Sequence, residues 1–216
     1  DVADTATMFQ AMTGSRLPEK DANHKVGRYL SHQSDSVAPE TLGVIDDSCA
    51  ALEANGVEIV EVEPLPHLES VFEAANTILH YDIVRVFAWE RTHHLHLISD
   101  LVRKMFVNAS NIGYDDYLQA QDLLFTARLA HQEFMAANQL DALLTPSAPG
   151  EAPPIKTTGD SVFNRVWTSL GVPAIHLPVR LGPTGLPVGI QLTGRHWCDK
   201  ELLATAAHVE SNIIES

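Results

Sequence analysis

Cysteine is scarce. Cys49 and Cys198 are the two thiols in 216 residues, too few for a disulfide framework and without the spacing of a metal site. They read as reduced cytosolic thiols, which predicts a cytoplasmic protein. Basic charge is scarce as well, with 14 Lys and Arg against 28 Asp and Glu and a formal net charge of -14. Such a surface repels polyanions, because nucleic-acid binding relies on basic side chains that release counterions. No apolar run reaches the roughly 18 residues of a membrane-spanning helix, and no signal peptide or initiator Met is present. Neither nucleic acid nor membrane is expected as a partner. The start at Asp1, inside what reads as a helix, predicts truncation or processing.

Other absences are local. Lys25-Val26-Gly27-Arg28-Tyr29-Leu30 reads as a strand, yet Ser31-His32-Gln33-Ser34-Asp35 after it is no Gly-rich phosphate loop, which argues against dinucleotide binding. No Gly-x-Ser-x-Gly elbow supports a dyad of Ser169 with His176; His176 reads instead as a satisfied core histidine on a central strand. Arg91-Thr92-His93-His94-Leu95-His96 gathers three imidazoles, but nothing at helical i, i+4 spacing completes a zinc site. That run reads as a solvated loop between helices. No metal and no cofactor are expected, and no internal repeat or low-complexity segment interrupts the chain.

What is present is a foldable chain. Hydrophobic residues make up 45%, and a single domain over residues 1–216 would bury about two-thirds to three-quarters of its unfolded surface. Val2, Ala6, Phe9 and Thr13 space a first helix ended by Gly14, and a polar connection runs from 15 to 23. A crossover helix from about 39 to 55 carries Leu42, Ile45, Cys49 and Leu52 on one face, before the alternating strand 57–63. Strand, helix and strand make a βαβ unit. Leu68, Phe72, Ala75, Leu79, Ile83 and Val86 predict one apolar stripe through six helical turns, with Asn76 and His80 beside it. A short helix over 101–108 follows. The longest helix, 114–139, places Tyr114, Leu118, Phe125 and Leu129 on one face.

The C-terminal third carries the densest pattern. Asp141-Ala142-Leu143-Leu144-Thr145-Pro146 reads as a buried strand, and Pro149, Pro153 and Pro154 mark the loop after it. Residues 163–171 read as a helical turn stopped by Gly171, and Pro173 prevents its continuation. Ala174-Ile175-His176-Leu177-Pro178-Val179 and Pro187-Val188-Gly189-Ile190-Gln191-Leu192 then read as two strands of a hairpin around Gly182-Pro183-Thr184-Gly185. A last helix starts at Asp199 as N-cap and buries Leu202, Ala206, Val209 and Ile213 over the hairpin.

This C-terminal stretch, together with Val2-Ala3-Asp4-Thr5-Ala6 at the other end, resembles the C-terminal part of the amidase signature family. The resemblance implies an α/β fold with a mixed β-sheet flanked by helices. Members hydrolyse or transfer amides through a Ser, cis-Ser and Lys triad, in which a lysine-activated serine attacks the amide carbonyl. No Gly-Gly-Ser-Ser-Gly segment occurs here, and none of Lys20, Lys25, Lys104, Lys156 and Lys200 lies in a Gly/Ser-rich context. This chain would then be the C-terminal portion of a serine amidase without its nucleophile. Its substrate would be a small-molecule amide, with a missing N-terminal segment, a partner chain or a second copy in a homodimer as partner.

Within the resemblance, the substrate-binding candidates are Thr145 and Pro146 at a strand end, and Phe163, Asn164 and Trp167 on the turn before the hairpin. Trp167 reads equally well as a core aromatic. Together these residues would form a wall of the pocket. In tRNA-dependent members an acidic group at about Ser161 holds an amino-acid ammonium, and a serine cannot make that charge pair. Ser161 and the acidic balance therefore argue against action on aminoacyl-tRNA. The alternative function is a catalytically silent binding or assembly module with an exposed sheet edge and apolar face.

Overall fold

The computed structural model describes residues 1–18 and 24–213, so part of the predicted 15–23 connection, including Lys20, lies outside it. Helix α1, Val2–Thr13, ends where Gly14 takes a left-handed φ of 68°. Strand β1, Lys25–Arg28, leads through α2, Pro39–Ala54, to the parallel strand β2, Glu58–Glu61. Proline at the first position of α2 removes no hydrogen bond, since that N–H has no partner in a helix. The βαβ unit is present as expected.

The next stretch differs from its sequence reading. The apolar stripe is divided at Ser70 into α3, Pro66–Glu69, and α4, Val71–Val86. Leu68, Val71, Ala74 and Ala75 are buried, whereas Leu79 and Val86 are exposed, so the stripe meets the core over its first half alone. The histidine run is no loop: α5, Ala88–His93, continues into a 3-10 turn at Leu95–Leu97. Among the described residues no group of three or more His, Cys, Asp or Glu is arranged to hold a metal ion.

Helix α6, Asp100–Asn108, precedes α7, Tyr114–Ala137, whose Asp116 carboxylate accepts from the Gly113 N–H at 2.8 Å. Helix α7 turns the opposite face inward from the one its large residues define. Ala120, Ala127, His131 and Met135 are buried, while Tyr114, Leu118, Phe125 and Leu129 are exposed. Helix α7 meets α4 through aromatic contact, Tyr81 stacking on Tyr117 with centroids 4.3 Å apart.

Strand β3, Ala142–Pro146, is buried along its length. Helix α8, Arg165–Leu170, stops at Gly171 with φ 64°, and β4, Ala174–Leu181, returns as β5, Pro187–Thr193. The five-stranded sheet among the described residues has order β2-β1-β3-β5-β4, parallel through β1, β2 and β3 and antiparallel through β3, β5 and β4. It is a mixed sheet flanked by helices. Strand β4 lies at the edge, so His176 is exposed on an outer strand rather than buried in a central one.

Alternation along β3 feeds two cores. Ala142 and Leu144 join Val44, Ile45, Leu52 and the C-terminal helix α9, Asp199–Ile213, on one face. Leu143 on the other face packs with Tyr29, Met135, Trp167 and Leu170. A strand covered on both sides needs apolar residues at every position, which is why 142–144 is uninterrupted. In α9 the residues Leu202, Ala206 and Val209 are buried as expected, Ile213 is half-buried, and Asp199 is the first helical residue rather than the cap. Cys49 in the first core has its thiol pushed up to about 12 by burial, and neither cysteine is paired.

Candidate functional site

Because β1 and β3 are parallel neighbours, their carboxyl ends open on one side of the sheet, the place where α/β folds expose ligand-binding loops. The Tyr29 N–H donates to the Leu144 carbonyl at 2.9 Å and carries the ladder one residue beyond β1. There a narrow pocket is lined by Tyr29, Ser31, His32, Phe72, Phe163 and Trp167, among others. Ser31 holds a φ of 73°, a conformation that costs a non-glycine residue energy and often marks functional turns.

The pocket floor is aromatic. Trp167 lies edge-on to Tyr29 at 6.0 Å, and the Tyr29 hydroxyl is 3.1 Å from His32 Nδ1. Burial raises Tyr29 to about 12, so it stays a neutral phenol. Behind Trp167 the buried His131 ring is 5.7 Å away, with His67 at 5.9 Å from His131. Burial first and the neighbouring His67 second lower His131 to about 4. His67 is lowered by burial and then by His32. A wall of neutral rings results, suited to an uncharged part of a ligand.

The six candidates fall into three groups. Phe163 and Trp167 are buried and line the pocket. Thr145 and Pro146 are buried in β3 and line none of the described cavities; Thr145 Oγ1 accepts from Gln191 Nε2 at 3.3 Å inside the sheet. Asn164 is exposed and donates from Nδ2 to the Ser147 carbonyl at 2.9 Å, which fixes the start of the Pro-rich loop. Ser161 is exposed, and its Oγ accepts from the Arg165 guanidinium at 3.2 Å.

Groups that sequence reasoning passed over stand at the same place. Tyr29 and His32 follow an ordinary strand and carry no motif. Arg165, one turn after Ser161, also donates to Asn76 Oδ1 at 2.7 Å. Asn76 reads from the sequence as a helix-flank residue, but its partner lies 89 residues away and no local pattern joins them. His80 lines no described cavity.

A second cavity of about 570 Å³ lies beyond Ser147, between the Pro-rich loop and the outer end of the hairpin, and His176 and Val188 face it. Glu151 shapes it by accepting from the Thr184 hydroxyl at 2.6 Å and the Leu186 N–H at 3.0 Å. The bond from Thr184, above all, holds the Glu151 carboxyl below its ordinary range.

The family model described as Amidase matches residues 3–203. The chain belongs to the amidase family. Among curated proteins, a glutamyl-tRNA(Gln) amidotransferase subunit of Ruegeria sp. (strain TM1040) is 26% identical over 261 residues, covering 97% of this chain and 52% of the relative. The protein of the same name from Granulibacter bethesdensis is 28% identical over 218 residues, covering 86% and 43%. A crystal structure of an amidase superposes with a TM-score of 0.85 at 25% identity, over 99% of this chain and 51% of that one. Fatty acid amide hydrolase, at 16% identity, shares the fold with a TM-score of 0.75 over 94% and 43%. The chain thus spans about half the length of the amidases and amidotransferase subunits it matches.

Proposed function

We propose that this chain, residues 1–216 as one domain, is the C-terminal portion of a serine amidase. It supplies scaffold and one wall of the pocket for hydrolysis of a carboxylic amide to an acid and ammonia or amine, without a cofactor. The observation that carries the reading is the amidase-family match over 3–203, whose 163–167 segment builds the pocket at the carboxyl ends of β1 and β3. Phe163 and Trp167 position the acyl group. Asn164 and Ser161 act at its rim, and Thr145 and Pro146 set the strand end that orients the loop. The attacking serine and its lysine come from an N-terminal segment or a partner chain. The names of the amidotransferase relatives describe one subunit of an enzyme, which supports an obligate companion, and a homodimer would serve if the second copy brought the same wall.

The test is ammonia release from a panel of carboxylic amides, first by this chain alone and then with the N-terminal half of an amidase of the family supplied in trans. No turnover alone and turnover on complementation are expected. Robust hydrolysis that copurifies with the chain alone would refute the external nucleophile. A second reading, an assembly module without catalysis, is favoured by the exposed apolar residues of α7 and the outer edge of β4. Stable association with the complementing half, without turnover of any amide, would select it.

A further inference from the structure

Glu151 is a carboxylate seated in a turn that belongs to another part of the chain. The hairpin turn after β4 folds on itself, the Gly182 N–H donating to the Leu186 carbonyl at 2.8 Å and the Gly185 N–H to the Gly182 carbonyl at 3.0 Å. Two further amides of that turn, Thr184 at 2.9 Å and Leu186 at 3.0 Å, donate to Glu151 Oε1, and the Thr184 hydroxyl donates to Oε2 at 2.6 Å. Backbone amides that converge in this way form a concavity that selects an anion. Gly182 completes it: a β-carbon there would lie 2.6 Å from Oε1, in the space the carboxylate fills.

The segment that brings the carboxylate has little else to hold it. Before Glu151, the Ser147 carbonyl accepts from Asn164 at 2.9 Å and the Pro149 carbonyl from the Ala38 N–H at 2.8 Å. After it, residues 152–161 are exposed, Ile155 completely so, and the chain is buried again at Val162. Among the described residues, the hydrogen bonds of 152–160 stay within 152–162, from Thr157 to Pro154, Gly159 to Thr157 and Val162 to Asp160. Glu151 is thus the last point at which this stretch is tied to another element. The same stretch forms one wall of the cavity of about 570 Å³, and Thr41 of α2 and Val188 of β5 are buried on its other walls.

We propose that the hairpin turn is a carboxylate receptor, Glu151 its tethered ligand, and 147–160 a strap that uncovers the cavity when the carboxylate leaves the turn. Pro153 and Pro154 stiffen the strap, so it swings as a unit about its fastened end. The device goes beyond the amidase reading and does not depend on it: it needs neither substrate nor a second chain.

The test reads the rate at which iodoacetamide alkylates Val188→Cys, located by peptide mass spectrometry. The buried native Cys49 is the internal control for global unfolding. Glu151→Gln should raise alkylation at 188 at least about fivefold while Cys49 stays protected, because a neutral amide forfeits the charge-assisted bonds. Gly182→Ala, which keeps the carboxylate but fills its seat, should do the same. Alkylation at 188 that is unchanged in either variant, that is already as fast as a free thiol's with Glu151 and Gly182 in place, or that rises only in step with Cys49 overturns the inference. Should Val188→Cys not fold, Thr41→Cys carries the same comparison from the α2 wall.

Discussion

Gly27 and Gly189 are fixed by space. A β-carbon at Gly27 would meet Leu143 Cδ2 at 2.7 Å and Val62 Cγ2 at 2.9 Å, in the core between β1 and β3. Gly27→Ala should therefore lower the urea midpoint by an amount equivalent to about 1–3 kcal/mol. At Gly189 the added carbon would lie 2.0 Å from the Leu177 carbonyl oxygen, a backbone atom that cannot rotate away. Gly189→Ala should cost more than Gly27→Ala and separate β4 from β5, seen as loss of hydrogen-exchange protection at 174–178. Both glycines lie inside strands that the sequence predicts, but only the packed sheet shows what crowds them. Trp167, open from the sequence to a core or a pocket reading, is buried in the second core and also lines the pocket; the contacts of Arg165 are not legible, because Asn76 and Phe72 lie about 90 residues earlier.

At the level of elements, α7 gives the sharpest lesson. Large apolar residues at helical spacing predict a buried face, yet Tyr114 is 60% and Phe125 59% exposed, while Ala120, Ala127, His131 and Met135 are buried. The buried face mixes small and large residues, alanines with His131 and Met135, so apolar size alone misreads which stripe is inside. Phe125→Ser and Leu129→Ser should each change the stability of this chain by no more than about 0.5 kcal/mol, whereas Ala127→Asp should unfold it. Thermal unfolding of the three variants decides between the faces. Where spacing is joined to a stop signal, as at Gly14 and Gly171 with their left-handed backbones, the element ends are readable. His176 is misread for another reason: strand order is set by long-range pairing, and alternation looks the same on an edge as in the middle of a sheet.

For the molecule as a whole, the neutral histidine wall makes stability depend on pH. The ordinary His value is 6.5, and burial, with a smaller push from His67, holds folded His131 at about 4. Between those values the unfolded chain takes up a proton that the folded chain refuses, so stability is complete above 6.5 and falls as pH decreases toward 4. The slope from His131 approaches about 1.4 kcal/mol per pH unit, and His67, lowered in the same direction, adds to it. The urea midpoint should fall from pH 7.5 to 5, and His131→Leu should flatten the decline over that window. An unchanged slope in the variant would assign the effect to other groups.

The sheet also has a direction in which it can grow. Among the described residues the outer side of β4 is unpaired, but Pro178 supplies no N–H, and the register shifts between Pro178 and Arg180. A visiting strand laid along this edge finds a ladder that breaks midway. Such an edge acts as a gatekeeper: it can accept a complementary strand shaped to its irregular step, and it frustrates the endless stacking of identical chains that a straight edge would invite.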